Sequence, residues 1–359
     1  MAEAATGETG GRFGAPHGIA RQWAWRIASL LLMVALTFFG LLFATFLIGR
    51  VVPVDPVLSV VGDRAPPSVY NRVYLELALD RPYVEQFWLY MKKALTGDFG
   101  ESFLTRNLIV SDIARVFPAT LELATLATLI GTAAGIPAGV LAAVRQGRLA
   151  DQLVRVFGLI GYSAPIFWLG LLGLLVFYVW LGWVAGPGRI DIAYEYSVSR
   201  VTGLMLVDAA MQGQWEAFAN AVSHIVLPAC LLGFFSMAYI SRMTRSFMLQ
   251  ELAQEYVVAA RVKGLPEWRI VWRHALRNAA VPLVTVIALS YANLLEGSVL
   301  TETVFAWPGL GQYLTHSLQN ADMNAVLGAT LVIGAIFVGV NLLSDLLYTL
   351  LDPRVRRRA

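Results

Sequence analysis

"EYVVAARVKGLPEWRIVWRHALRNAAVP", residues 255–282, is a charged, helix-forming stretch set between two apolar segments long enough for lipid. A first helix over 250–262 is expected to end at Gly264, where glycine takes a positive φ without cost. Pro266 suits the first turn of a second helix over 266–279. At 100° per residue Trp268, Val271, Trp272, Ala275 and Ala279 share one face of that helix, and Arg269, Arg273 and Arg277 stack on the opposite one. Two readings fit such a hairpin. One is an interfacial helix, Trp face on lipid and Arg face toward phosphates; the other is a rigid lever whose free face meets a cytoplasmic partner.

The surroundings are those of a membrane protein. Of 359 residues 57% are apolar and 14% charged, with a mean hydropathy of +0.63, whereas soluble domains carry about a quarter charged residues. A formal net charge of +3 matters less than where Lys and Arg stand relative to the apolar runs, and it does not imply nucleic acid. The single cysteine, Cys230, excludes a disulfide framework or a cysteine metal site and reads as a small buried hydrophobe.

Residues 1–23 form a Gly- and Ala-rich tail without apolar periodicity, read as disordered and cytoplasmic. The apolar run 27–49 then crosses the bilayer as an uncleaved first span. Further spans are expected at 119–143, 156–184, 224–241, 281–300 and 325–350, six in all. Arg21, Arg26, Arg145, Arg148, Arg155, the arginines of the hairpin and the tail 353–359 put both termini and the hairpin in the cytoplasm. The long segment 51–117 is then external; its seven Lys or Arg weigh little, because it is long. The fold class is an all-α integral membrane protein, divided into 24–116 (first span plus external segment) and a core over 117–352 with the hairpin at 250–279.

Within the spans Gly131, Gly135 and Gly139 repeat Gly-x-x-x-Gly on one helix face, a pattern for close helix approach. Pro137 and Pro165 are expected to bend their helices. Glu122, Glu296 and Asp345 are ionisable residues near span ends, read as helix-end or packing groups. Outside, "DRPYVEQFWLYMKKAL" places Tyr83, Phe87 and Tyr90 for packing on the spans, as an ordered cap, and "WPGLG", 307–311, is a turn.

These motifs, taken in order, resemble one family. "VAARVKG" is similar to the Glu-Ala-Ala-x-x-x-Gly loop of permease subunits of type I ATP-binding-cassette importers, and "HALRNAAVP" to its continuation in the dipeptide, oligopeptide and nickel branch. "VDPVLSVVGDRAP", "LDRP", "GDFGES", "PATLELA", "ETVFAWPGLGQYL" and "NLLSDLLYTLLDPRVR" resemble the same branch. Two departures stand out: Val258 occupies the acidic position of the loop, with Glu255 three residues earlier, and the closing proline is displaced to Pro282.

The resemblance implies a type I permease fold with cytoplasmic coupling helices, in the plasma membrane of a bacterium. It implies that the hairpin docks in an ATPase cleft, with Gly264 for the turn, Ala259 and Ala260 for close approach, and Glu255, Glu267, Arg269 and Arg273 as a polar rim. Asp55, Trp307, Pro308 and Gly309 are expected at the external gate or the binding-protein contact. No Gly-x-x-x-x-Gly-Lys-Ser/Thr loop occurs in the sequence, so ATP and Mg belong on partner subunits. The implied partners are a second homologous permease, two ATPases, an external solute-binding protein and membrane lipid. The implied cargo is a di- or oligopeptide, with nickel chelates, opines or other peptide-like solutes as alternatives. An ion-coupled secondary transporter would show paired discontinuous helices and buried ion ligands, which the sequence lacks. His17, His224, His274 and His316 form no metal-ligand cluster, and no Gly-x-Ser-x-Gly setting marks a hydrolase.

Overall fold

The computed structural model describes residues 17–51, 56–62, 65–76, 78–320 and 322–351. The tail to residue 16, Asp55 and the basic end from 352 lie outside the described residues, as does the side chain of Asp345. Among the described residues the regular structure is helical, with one isolated bridge pairing Glu101 and Leu108. In chain order the helices are α1 His17–Val51, α2 Pro56–Val61, α3 Pro67–Glu76, α4 Tyr83–Leu95, α5 Ile109–Val144, α6 Leu149–Ser163 and α7 Ile166–Gly173. There follow α8 Met205–Met211, α9 Trp215–Leu252, α10 Glu255–Val262, α11 Glu267–Arg269, α12 Leu276–Gly297, α13 Val299–Val304, α14 Leu310–Gln319 and α15 Met323–Leu351.

Five helical stretches are long and apolar enough to cross a membrane, or six when the bent pair α6–α7 is taken as one span. Three boundaries differ from the sequence expectation. The third span is not one rod: Ala164 is extended ahead of Pro165, as a residue before proline prefers, and the halves meet at 98°. Wide, π-type winding over Leu174–Trp180 then continues the second half. The fourth span is far longer than 224–241, because α9 runs unbroken for 38 residues, through Pro228, to the hairpin. The second span likewise starts at Ile109, and α5 continues through Pro118 and Pro137.

α5 and α9 share the largest interface, and small residues make it possible. A Cβ on Gly131 would stand 2.5 Å from the Ser236 side chain, one on Gly135 3.1 Å from Ile240, and one on Gly139 2.5 Å from the Ser241 carbonyl. The seam continues into a core of Ala119, Leu123, Ala124 and Ala127 against Ile225, Ala229 and Leu232, closed by Leu294, Leu295 and Trp307. Cys230, expected inside, is exposed on α9; an apolar side chain on a membrane helix needs no protein interior to leave water.

Candidate coupling hairpin and external cluster

The hairpin forms, with one change of design. Gly264 turns the chain at φ +75° with open space around it, and Pro266 precedes α11. The second leg is not a separate helix over 266–279. α11 passes through wide winding over Ile270–Ala275 into α12, so one continuous stretch, Glu267–Gly297, runs from the turn through the span. Bonding from i to i+5 winds less per residue than an α-helix and shifts the faces. Val271, Ala275 and Ala279 are buried as expected from the helical wheel, and Ile270 joins them, but Trp268 and Trp272 are exposed, at 62% and 47%.

Two apolar clusters seat the hairpin. Val257, Ala260 and Ile270 pack together under Leu252 and Leu265. Val271, Ala275, Ala279 and Leu283 pack on Val140, Ala143 and Met248 at the ends of α5 and α9. The polar residues brace the turn: Arg261 pairs with Glu267 at 2.8 Å, and Arg269 lies over the Trp268 ring at 5.2 Å. Tyr256 donates to the Glu251 carboxylate at 2.6 Å, and burial together with that carboxylate pushes its phenol up to about 12.

Of the residues expected to meet a partner, Glu255, Ala259, Gly264, Glu267, Arg269 and Arg273 are exposed, whereas Ala260 is 8% exposed and serves the hairpin's own core. Val258 and Val262, one turn apart on α10, are exposed at 54% and 84% and flank Ala259 as an apolar knob inside the charged rim. The i, i+4 spacing in "VVAARV" carried that signal, which the mismatch at Val258 had masked.

At the other end of the spans the structure gathers residues the sequence left scattered. Trp307, expected at a gate or contact, is 1% exposed and donates from Nε1 to the Ala119 carbonyl at 2.9 Å. Its burial removes it from any surface contact, because its indole closes the core between α5 and α12. Pro308 is exposed, and Gly309 is buried against the Glu302 carboxylate, where a Cβ would collide. Glu302, which the sequence reading did not single out, is fully buried. It accepts from Thr120 and Ser298 hydroxyls at 2.7 and 3.0 Å and from the Gly311 and Gln312 amides at 2.7 and 3.1 Å. Burial pushes its carboxyl above the ordinary range, against the pull of those donors.

Glu122 is also buried and paired. Arg189 reaches it at 2.5 Å and lies over the Trp307 ring, and the Leu206 amide donates to its other oxygen at 2.7 Å. Glu296 is exposed on α12. No cluster of metal-ligating side chains occurs among the described residues.

Residues 135–357 match the family described as binding-protein-dependent transport system inner membrane component, and residues 21–124 match the N-terminal part of such membrane components. The chain is 42% identical, over 94% of its length and 97% of the relative, to the probable D,D-dipeptide transport system permease protein DdpB of Escherichia coli (strain K12). It is 41% identical to the di/tripeptide transport system permease protein DppB of Pseudomonas aeruginosa (strain UCBPP-PA14), covering 92% of this chain and 98% of that one. A chain of the inward-facing MetNI methionine ABC transporter aligns at a TM-score of 0.43 and 20% identity, covering 67% of this chain and 93% of that chain. By the share of its length that the family matches and by its identity to near full-length relatives, the chain belongs to the inner membrane components of binding-protein-dependent transport systems, as an ABC importer permease of the dipeptide/oligopeptide family.

Proposed function

We propose that this permease forms half of the path by which a di- or oligopeptide enters the cell, and that ATP bound with Mg on separate ATPase subunits drives it through the hairpin. The observation that carries the proposal is the near full-length similarity to permeases named for dipeptides and for di/tripeptides, joined to a hairpin with an exposed apolar knob and a charged rim. A second, homologous permease completes the path, two ATPases power it, and an external binding protein delivers the cargo. Both termini and the hairpin then lie in the cytoplasm, and α4 lies outside. Packed elements shift as units, so the two apolar clusters under the hairpin make it a lever rather than a flap. A nickel chelate as cargo is less favoured, because the relatives are named for peptides.

The test is uptake of a radiolabelled dipeptide into proteoliposomes holding the whole assembly, with ATP and binding protein supplied. Gly264→Asp is expected to leave the permease inserted and assembled while ATP hydrolysis no longer drives uptake. Normal transport by that variant would overturn the lever, and ATP-independent uptake by the lone chain would overturn the subunit reading altogether.

A further inference from the structure

We infer that α4 is a membrane-seated helix, lying along the protein in the leaflet at the C-terminal end of α1 with its outer apolar face on acyl chains. Under the orientation proposed above this is the external leaflet, but the inference rests only on α1 spanning the membrane, not on cargo or ATPase.

Depth is the first observation. The Phe87 ring meets Phe39, Phe43 and Phe46 of α1 edge-on, at centroid distances of 5.6, 5.8 and 5.4 Å. The Tyr90 ring lies 6.0 Å from Phe46, and its hydroxyl is 3.3 Å from Thr45. The apolar span of α1 runs over Ala28–Leu47, so these contacts fall inside it. Phe43, at their centre, lies four residues, about 6 Å, short of its end. An interfacial helix buries its apolar face about 5–10 Å into the headgroup and acyl boundary.

The second observation is that α4 has three faces, where a helix on a water-exposed protein surface needs two. At 100° per residue from Tyr83, Gln86, Tyr90, Ala94 and Phe87 fall at about 300°, 340°, 20° and 40°, the side turned to the protein. Tyr83 itself, on the first residue of the helix, is exposed at 69% and does not pack on the spans, contrary to the sequence expectation. Met91, Val84, Leu95 and Trp88 fall at about 80°, 100°, 120° and 140°. Of these, Val84, Trp88 and Leu95 are exposed at 71%, 61% and 75%. Lys92, Glu85 and Lys93 occupy about 180–280°, interrupted by the half-buried Leu89. Protein, apolar and charged faces thus succeed one another around the axis. A helix beside a span, with lipid beneath and water above, meets those three environments in that order. Lys92 and Lys93 stand at the level of lipid phosphates, where an ammonium finds anionic partners, and Trp88 takes the interfacial place tryptophan prefers.

The experiment uses the full assembly in nanodiscs of phosphatidylethanolamine and phosphatidylglycerol, with Cys230→Ser as background. Spin labels on Val84→Cys and Leu95→Cys are expected to be relaxed several-fold more by oxygen than by an aqueous nickel chelate, and labels on Glu85→Cys and Lys93→Cys the reverse. Equal aqueous access at Val84 and Lys93 would place α4 clear of the membrane. Protection of Val84 and Leu95 from both reagents would assign the face to a protein partner; either result overturns the inference. Carbene labelling of the unsubstituted permease by an apolar diazirine, read at the peptide holding Trp88, repeats the test without substitution: strong labelling is expected, and labelling no greater than that of the exposed loop 192–200 would count against it.

Discussion

At Glu302 a carboxylate has left water and received four donors in exchange, two hydroxyls on one oxygen and two amides on the other. Hydroxyls can rotate to accept, but amides cannot. Glu302→Gln is therefore expected to keep its oxygen on the Gly311 and Gln312 amides and unfold near the native midpoint. Glu302→Ala orphans both amides and should cost on the order of 3 kcal/mol, seen as a lower thermal midpoint of the purified assembly. Asp208 offers a contrast. Burial raises its pKa, but the Thr202 hydroxyl and the amides of Thr202, Gly203 and Val201 together outweigh burial and hold it below the ordinary range. Stability from a depressed carboxylate is present above its unfolded pKa and lost as pH falls through the folded one. Hydrogen exchange over 200–204 should accelerate below about pH 4, and Asp208→Asn should abolish that pH dependence. Neither group was legible from pattern, because a buried carboxylate is identified by donors that are distant in sequence or held on loop backbone. The burial of Trp307 was illegible for the same reason: its partner, the Ala119 carbonyl, is 188 positions away.

At the scale of elements the hairpin was legible where the chain turns and illegible where it does not. Gly264 and Pro266 mark the turn locally. Nothing local marks the continuity of α11 into α12, since wide winding depends on how Ile270 and Val271 seat on their clusters. The Arg261–Glu267 pair braces the turn, with both side chains about half exposed, so its contribution to stability is under about 1 kcal/mol. Arg261→Glu should accordingly leave the fold intact. Its expected cost is in assembly: weaker recovery of the ATPase subunits in a detergent pull-down, regained in the Arg261→Glu, Glu267→Arg double variant. The break at Pro165 was legible as a bend, but its size came from the freedom of Ala164 to stay extended. The long helices were legible as apolar cores and not as full lengths, because their polar ends read as loops until the neighbouring helices are in place.

Across the whole molecule polar latches tie both ends: near the hairpin Asp151 accepts from Arg245 at 2.6 and 2.9 Å, and Asp322 does the same work at the opposite side. Asp322 accepts from the Ser102 hydroxyl at 2.6 Å and the Leu104 amide at 3.1 Å, binding the segment before α5 to the start of α15. Asp322→Asn is expected to raise hydrogen exchange over 99–108 while exchange in α5 and α9 stays unchanged; a uniform rise would mean the latch supports the entire bundle. Family membership was legible because motifs resembling the family stand in order along nearly the full chain, whereas the Asp322 latch joins residues more than two hundred positions apart and leaves no local trace. The unbroken stretch Glu267–Gly297 also has a mechanical consequence. Its 31 residues make a beam about 46 Å long, so a tilt of about 10° around its middle swings each end about 4 Å in opposite directions. A push at the turn would thereby be returned, inverted, at the opposite end of the beam, with the bilayer as the pivot of a seesaw.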